Sequence, residues 1–234
     1  MLGAPARTAP SVHNFDTKDN LRFWTANQAS YQGTRHAALL ARLLRPFLGT
    51  RILDAGAGDG SLVRELALLI PAARVTGVDL APKAPGIEAG DLCALRFADG
   101  EFDSIVCSEV IEHTDPGTTG GIVRELSRVL APGGVLALTT PWAEALEEST
   151  VTCPRCDLAF HRWGHQQRFT PESARELAVR HGLEPLEVVP VRFNRVERIA
   201  WMGRAFLRTR LARRLCAGRG GKRSLVLVAR KRAG

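Results

Sequence analysis

The stretch that decides the fold is ILDAGAGDGSL, residues 52–62, in which a short apolar run ends in an acid and glycines follow at alternate positions. Ile52 and Leu53 are typical of the end of a buried strand, and a helix is predicted to begin near Ser61. The glycines between them predict a tight turn, because a residue without a Cβ atom lets the backbone approach a ligand closely. A nucleotide-like ligand at this turn is therefore the first hypothesis.

The spacing of the glycines narrows the class of nucleotide. Gly56, Gly58 and Gly60 follow Asp54 as G-x-G-x-G. The dinucleotide fingerprint is G-x-G-x-x-G, and its third glycine would fall on Ser61. This spacing counts against NAD. A P-loop is also excluded, because no Gly-Lys-Ser or Gly-Lys-Thr follows the turn.

A second acid stands at the end of the next apolar run. VTGVDL, residues 75–80, is rich in β-branched side chains and ends in Asp79 and Leu80. Asp79 comes about 20 residues after the glycine turn, where a carboxylate can accept hydrogen bonds from both ribose hydroxyls. The same carboxylate would repel a 2′-phosphate, so the pattern indicates a ligand with a free ribose diol.

Five segments in this order resemble the class I S-adenosylmethionine (SAM) dependent methyltransferases, specifically the small-molecule branch that includes the ubiquinone-biosynthesis type. The segments are LDAGAGDG at 53–60, VTGVDL at 75–80, GDL at 90–92, FDSIVCSEVIEH at 102–113 and LSRVLAPGGVLALTTP at 126–141. The resemblance covers residues 50–140 well and residues 169–192 more loosely. One glycine turn alone would be a weak signal, whereas five ordered motifs are specific.

The resemblance implies the residues of a SAM site. Asp54 and the glycines would lie along the methionine part of SAM, Asp79 would bind the ribose, and Asp91 with Leu92 would meet the adenine. The implied cofactor-binding set is Asp54, Gly56, Gly58, Gly60, Asp79, Leu80, Asp91, Leu92 and Ser108. Glu109 would lie near the methyl group, and Glu109 and His113 are the candidate bases. For His113 the alternative is a packed helix residue without a catalytic role.

Strand-like and helix-like segments alternate along the chain, which predicts an α/β fold with a doubly wound, Rossmann-like parallel sheet and helices on both faces. Strands are predicted at 51–54, 75–79, 87–89, 104–107 and 135–139, and helices at 61–69 and 122–130. In the resembling family, two more strands, here 186–193 and 224–231, form an antiparallel pair that completes seven strands. Only eleven residues separate Asp79 from Asp91, and they include Pro82 and Pro85, so the helix between the second and third strands should be absent or vestigial.

The predicted organisation is an N-terminal tail with cap helices at residues 1–48 and a methyltransferase domain at 49–232. Residues 194–222 form a basic helical insert within that domain. From residue 192 to 232 the chain has fourteen Lys or Arg and one acid, whereas the remainder has 18 basic and 23 acidic residues. A basic amphipathic helix can bind an anionic partner such as nucleic acid or lie on a membrane surface. The alternative is a solvated helix that covers the substrate cleft.

A second candidate site is the loop at 151–168, which contains CPRCDLAFHRWGH. Cys153 and Cys156 form C-x-x-C, and His161 and His165 form H-x-x-x-H. Thiolate and imidazole are preferred zinc ligands, so this loop predicts a structural Cys₂His₂ zinc site. Two alternatives stay open: His165 as a substrate-side residue with the cysteines as free thiols, and a redox-active cysteine pair.

The residues after the fourth strand bear on the reaction. Methyltransferases of exocyclic base amines typically have Asn or Asp, two prolines and an aromatic residue there, whereas this chain has CSEV at 107–110. We therefore expect O-methylation of a small molecule, such as a sugar, lipid-linked or natural-product acceptor. The alternatives are methylation of RNA or protein through the basic insert, and a non-catalytic SAM-binding regulator. The absence of an 18-residue apolar run and of a signal-peptide pattern predicts a cytoplasmic protein without a transmembrane segment.

Overall fold

The computed structural model describes residues 15–26, 36–193 and 223–233. The predicted basic insert at 194–222 lies outside this part of the chain, as does the tail at 1–14. The anionic partner or membrane surface expected at the insert therefore stays a prediction.

The described residues contain nine strands and five α-helices. The strands are β1 (Arg51–Ala55), β2 (Arg74–Asp79), β3 (Ile87–Ala89), β4 (Phe102–Ser108), β5 (Leu130–Pro141), β6 (Thr150–Thr152), β7 (Ala159–His161), β8 (Leu183–Val191) and β9 (Ser224–Lys231). The α-helices are α1 (Thr17–Ala26), α2 (Ala37–Leu44), α3 (Ser61–Leu69), α4 (Pro116–Val129) and α5 (Pro171–Arg180). Short 3₁₀ helices lie at Arg45–Phe47, Ile111–His113 and Leu146–Ser149.

Seven strands form one sheet in the order β3-β2-β1-β4-β5-β9-β8. β9 is antiparallel to both of its neighbours, and the other adjacent strands are parallel. The strand order reverses beside β1, so the carboxyl ends of β1 and β4 border the crevice in which ligands of such sheets bind. The predicted doubly wound, mostly parallel fold is confirmed.

Helices cover both faces of the sheet, because successive side chains of a strand point to opposite sides. On one face, Leu53 of β1 packs in a cluster with Leu126 of α4 and Ala178 of α5. On the other face, Ile52 packs in a cluster with Leu40 of α2 and with residues of α3. The alternation of Ile52 and Leu53 thus places α4 and α5 on one side and α2 and α3 on the other.

Several elements extend beyond their predicted ends. α4 begins at Pro116, six residues before the predicted start, because Asp115 caps it by accepting hydrogen bonds from the N–H groups of Gly117 and Thr118. The intervening glycines and threonines have no apolar periodicity, which is why the sequence pattern missed this turn. The loop predicted at 151–168 contains an antiparallel hairpin, formed by β6 and β7.

Residues 80–86 contain no helix between β2 and β3, as the short spacing and the two prolines predict. Of the helices that the structure describes, none has the length and apolar character needed to span a lipid bilayer.

Candidate active site

A tight glycine turn joins β1 to α3 and borders the carboxyl end of the sheet. Gly56 has a φ of 85°, and a Cβ atom at this position would lie 2.2 Å from Cγ2 of Val110. The N–H groups of Gly56 and Ala57 both donate to the carbonyl oxygen of Val78, at 2.8 and 3.0 Å. A side chain at position 56 would clash with Val110 and would adopt a left-handed φ, so glycine is required there.

Asp79, the last residue of β2, connects the glycine turn to the following loop. Its Oδ2 accepts a hydrogen bond from the N–H of Gly58 at 2.8 Å, and its Oδ1 accepts one from the N–H of Ala81 at 2.8 Å. Each carboxylate oxygen can accept a further hydrogen bond, so Asp79 keeps acceptor capacity for a ligand's hydroxyl groups.

Asp54 lies behind the turn and is only 2% exposed. Burial, together with the negative charges of Asp79 and Asp59, raises the pKa of its carboxyl group to about 8. Within the described residues, its Oδ2 has no hydrogen-bond partner. A buried polar atom of this kind is costly unless a ligand satisfies it.

A crevice of about 520 Å³ opens at this end of the sheet. Of the predicted cofactor residues it is lined by Gly56, Gly58, Asp79, Leu80, Asp91, Leu92 and Ser108. Asp54 and Gly60 do not line it, since Asp54 is buried beneath the turn and Gly60 is the N-cap of α3. Both candidate bases, Glu109 and His113, line the crevice, and so does His165.

Glu109 adopts an unusual backbone conformation directly after β4, with a φ of 55°. Its N–H donates to the carbonyl oxygen of Thr139 at 2.9 Å, and its Oε1 accepts a hydrogen bond from Oγ1 of Thr139 at 2.9 Å. Burial raises the pKa of the Glu109 carboxyl group, and the Thr139 hydroxyl partly opposes the rise. Non-glycine residues in this region of φ cluster at functional sites, where the surrounding structure supports the strain.

His113 ends a 3₁₀ helix and packs between aromatic rings. The ring centroids of Trp24 and His113 are 4.9 Å apart, and those of His113 and His165 are 4.7 Å apart. Burial, together with the neighbouring His165, lowers the pKa of His113 to about 3. His113 is therefore a neutral imidazole at physiological pH and a weak base.

His161, His165 and Glu144 form a cluster at the far wall of the crevice. Nδ1 of His165 is hydrogen-bonded to Oε2 of Glu144, and Nε2 of His161 lies 3.8 Å from Oε1 of the same carboxylate. The two imidazole rings stack at a centroid distance of 4.6 Å. His161 is 2% exposed, so this part of the cluster is closed to solvent.

Two glutamines connect the segment after His165 to the 3₁₀ helix at Ile111–His113. Nε2 of Gln166 donates to the carbonyl oxygen of His113 at 2.6 Å, and the N–H of Gln166 donates to the carbonyl oxygen of Glu112 at 2.6 Å. Nε2 of Gln167 donates to the carbonyl oxygen of Thr114 at 2.6 Å. These bonds hold the two histidine-bearing segments side by side.

The four predicted zinc ligands are not brought together in the structure. Cys153 follows β6 and Cys156 is exposed, whereas His161 and His165 point to Glu144. Among the described residues, no cluster of three or more potential metal ligands includes either cysteine. A hydrogen bond from the backbone N–H of Arg155 lowers the pKa of Cys153, and the thiol of Cys156 lowers it to a lesser extent. Both contacts favour the thiolate of Cys153. The Cys₂His₂ site stays a prediction.

Potential metal donors do approach one another elsewhere in the described residues. One donor atom from each of Glu112, His113 and His165 lies within 4.8 Å of the others, and the same holds for Glu144, His161 and His165. Glu112 is part of the SEVIEH motif, but its burial was not expected from the sequence. Glu144 belongs to no recognisable motif, so only the structure identifies it.

Comparison with known proteins agrees with this architecture. A family model described as a methyltransferase domain matches residues 27–188. Malonyl-[acyl-carrier protein] O-methyltransferase of Legionella pneumophila is 35% identical over 111 residues, covering 42% of this chain and 38% of that protein. Ubiquinone biosynthesis O-methyltransferase of Xanthomonas oryzae is 37% identical over 109 residues, covering 39% of this chain and 43% of that protein. The chain thus spans about two fifths of the length of these curated relatives.

Solved structures match over a larger share of the chain. The [4+2]-cyclase SpnF has a TM-score of 0.65 at 18% identity and covers 97% of this chain and 100% of its own. A Burkholderia thailandensis 1,6-didemethyltoxoflavin-N1-methyltransferase, solved with S-adenosylhomocysteine, has a TM-score of 0.64 at 17% identity and covers 96% of this chain and 94% of its own. These likenesses show the fold. Since the family model covers more than half of the chain, the chain belongs to the methyltransferase-domain family and has the class I, SAM-dependent methyltransferase fold.

Proposed function

We propose that this chain transfers the methyl group of SAM to a hydroxyl oxygen of a small-molecule acceptor. The observation that supports the proposal best is that one crevice is lined both by the glycine turn and by Glu109, His113 and His165. A hydroxyl nucleophile must lose its proton, and carboxylates and imidazoles are the usual groups that accept it. The two relatives described above are both named O-methyltransferases, which agrees with an oxygen acceptor.

We assign SAM to the part of the crevice between the glycine turn and β3. Asp79 would accept hydrogen bonds from the ribose hydroxyls, with Leu80 beside it, and Asp91 and Leu92 would meet the adenine. The methionine part would lie along Gly56 and Gly58, near Ser108, with Gly60 holding the turn from outside the crevice lining. Asp54 supports this orientation, because the ammonium group of SAM would supply a donor to its unpartnered oxygen and favour its ionised form.

The acceptor would occupy the other end of the crevice, beside Glu109 and His113. Trp24 and Trp163 line this end and would hold a partly apolar molecule. SAM is already electrophilic, so the protein mainly has to align the acceptor oxygen with the methyl group and to receive its proton. Burial makes Glu109 a stronger base than an ordinary carboxylate, whereas neutral His113 is better suited to orient the acceptor by hydrogen bonding.

The test is to follow the methyl group. We would incubate the purified protein with SAM carrying an isotopic label in its methyl group, together with a panel of phenols, sugars and lipid-linked alcohols, and separately with RNA and with protein. The expected result is label in a methyl ether of a small molecule, together with S-adenosylhomocysteine. Label found only in RNA or protein would contradict the proposal. SAM binding without any transfer would instead favour a regulatory protein.

The test variant is Asp79→Asn, and its matched control is Asp99→Asn. Asp99 forms an exposed ion pair with Arg128 outside the crevice lining, so its variant should keep full transfer. Equal losses in both variants would show that the assay reports folding rather than cofactor binding.

A further inference from the structure

We propose that His165 is the residue that takes the proton of the acceptor hydroxyl. Glu144 positions it through a hydrogen bond to its ring, and His161 positions it through a hydrogen bond from its backbone N–H; we call these three residues the relay. His165 is then a catalytic residue, whereas Glu144 and His161 are positioning residues. This inference rests on the proposed O-methyl transfer. It assigns to the crevice a base, His165, whose tautomer is defined by Glu144 from the loop that follows β5.

The contact between His165 and Glu144 determines which imidazole nitrogen is available. Nδ1 of His165 is bonded to the Glu144 carboxylate, so the proton of the neutral ring lies on Nδ1. Nε2 is then the nitrogen with a lone pair. His165 lines the crevice while its side chain is only 12% exposed, so an acceptor would meet this nitrogen in a partly desolvated setting.

His161 has the opposite tautomer, and backbone groups impose it. Its Nδ1 accepts a hydrogen bond from the N–H of His165 at 3.0 Å and a longer one from the N–H of Trp163 at 3.4 Å. The proton of neutral His161 therefore lies on Nε2, the nitrogen 3.8 Å from Oε1 of Glu144. At 3.8 Å this approach is too long for a hydrogen bond, so the Glu144 carboxylate is hydrogen-bonded to His165 and only faces the ring of His161. The same tautomer argues against His161 as a zinc ligand, because its acceptor nitrogen is already used.

The backbone around the relay is fixed from several directions. Nε of Arg168 donates to the carbonyl oxygen of Glu144 at 2.6 Å, and the N–H of Ala143 donates to the carbonyl oxygen of Phe169 at 2.8 Å. Gly164, with a φ of 73°, allows the tight turn that returns His165 toward His161. A base held in one rotamer needs such support, since misplacement by about 1 Å can cost on the order of 100-fold in rate.

The chemical step balances with no further reactant. The acceptor O–H bond breaks and its proton moves to Nε2 of His165, while the oxygen lone pair forms a bond to the methyl carbon. The bond between that carbon and the sulfonium sulfur breaks, and its electron pair stays on sulfur, which leaves S-adenosylhomocysteine. The Glu144 carboxylate stabilises the imidazolium that results, and the proton then passes to solvent.

Charged and titratable groups face His165 from each neighbouring element. Glu144 comes from the loop after β5, His161 from β7, Glu112 and His113 from the 3₁₀ helix, and Glu109 from the turn after β4. Of these groups, Glu144 is the one hydrogen-bonded to the His165 ring, so its replacement by a neutral amide should weaken the preference for a proton on Nδ1.

The first test reads the tautomers without any acceptor, so it does not depend on the proposed reaction. In ¹⁵N-histidine-labelled protein loaded with S-adenosylhomocysteine, NMR should show His165 protonated at Nδ1 and His161 protonated at Nε2. In Glu144→Gln the fraction of His165 protonated at Nδ1 should fall, while the exposed Glu148→Gln should leave it unchanged. A His165 protonated at Nε2 in the wild type, or a tautomer insensitive to Glu144, would overturn the relay.

The second test uses the acceptor found with labelled SAM. We expect His165→Asn to lower kcat on the order of 100-fold, as loss of a general base does, with little change in affinity for SAM. It should also abolish the rise of rate with pH that an imidazole base produces. Glu144→Asp should recover activity lost in Glu144→Gln, and His181→Asn, at the end of α5, is the control expected at the wild-type rate.

Two outcomes would overturn the catalytic role even if O-methylation is established. One is an unchanged pH profile and kcat in His165→Asn. The other is a stoichiometric metal ion in the wild-type protein that is lost in His165→Asn, with activity abolished by a chelator. The second result would make His165 a metal ligand with Glu112 and His113. Failure of the proposed function would instead appear as no methyl transfer by the wild type, with the NMR result unaffected.

Discussion

Asp54 is a residue whose ionisation should be visible in the stability of the protein. Its pKa is raised from 3.8 to about 8 in the folded protein. Between these values the folded chain holds a proton that the unfolded chain has released, so stability should fall as pH rises. Each pKa unit corresponds to about 1.4 kcal/mol, so the loss should reach several kcal/mol by about pH 8 in the absence of ligand.

Replacement of Asp54 by Asn should remove this dependence. We expect Asp54→Asn to differ little from the wild type in urea unfolding at about pH 4 and to be more stable at about pH 8, because no buried charge forms. The same variant should bind SAM more weakly, since the ammonium group loses its carboxylate partner. Identical pH slopes in the two proteins would contradict the raised pKa. Asp99→Asn, at an exposed position, provides the control.

Asp79 is the residue at which cofactor affinity should be most sensitive. Asp79→Asn should raise the dissociation constant for SAM at least 10-fold in calorimetric titration, since a charge-assisted hydrogen bond contributes about 1.5–3 kcal/mol. Because Asp79 also accepts hydrogen bonds from Gly58 and Ala81, the melting temperature must be measured in parallel. If folded Asp79→Asn bound SAM with unchanged affinity, Asp79 would not be the residue that binds the ribose.

At the scale of elements, the glycine turn offers a test with a matched control. Gly56→Ala would combine a left-handed φ with a Cβ atom 2.2 Å from Val110, whereas Gly133→Ala has a similar φ of 76° and nothing within 4 Å. We expect Gly133→Ala to cost about 1–2 kcal/mol of unfolding free energy and Gly56→Ala clearly more. Adding Val110→Ala to Gly56→Ala should recover the steric part only. Equal costs for the two glycine variants would show that the turn can shift.

The end of α4 is held by a lysine from β9. Nζ of Lys231 donates to the carbonyl oxygens of Ser127 and Leu130, each at 2.7 Å. A cation at a helix C-terminus is favourable, and these carbonyls would otherwise lack partners. We expect Lys231→Met to lower the unfolding free energy by about 1–2 kcal/mol and the exposed neighbour Arg230→Met to change it little. Similar values for the two variants in urea unfolding would contradict this role.

The glycine turn and the histidine cluster show which features of the site could be predicted from sequence patterns. Glycines at alternate positions and an acid at the end of each strand are local signals, so the turn at Gly56 and the position of Asp79 could be predicted. The relay of Glu144, His161 and His165 could not, because it depends on hydrogen bonds between segments far apart in the chain. Spacing alone placed His161 and His165 with two cysteines, whereas tertiary packing turns them toward a carboxylate that has no sequence signature.

At the scale of the whole molecule, α1 lies outside the sheet and covers the crevice. Asn20 of α1 donates from Nδ2 to the carbonyl oxygen of His113 at 3.0 Å, and Thr17 and Trp24 line the crevice. The helix is absent from both core clusters. We therefore expect removal of residues 1–26 to leave the sheet folded by circular dichroism but to speed the release of S-adenosylhomocysteine. Loss of cooperative unfolding in this variant would show that α1 belongs to the core.

The sheet as a whole could be predicted because its order follows from alternation of strands and helices together with the family resemblance. The antiparallel pair of β8 and β9 came from the resemblance, whereas the position of β9 between β5 and β8 needs the structure, since no local pattern specifies which strands pair. The residue pairs between β5 and β9, such as Thr139 with Val226, could be identified only from the structure.

The missing helix between β2 and β3 has a practical consequence. In the described residues, no helix lies between β2 and β3, at the edge of the sheet beside which we assign the adenine. A substituent on the exocyclic nitrogen of the purine could then extend into water without displacing protein. Immobilised S-adenosylhomocysteine, linked to a resin through that nitrogen, should retain this protein, and free S-adenosylhomocysteine should elute it.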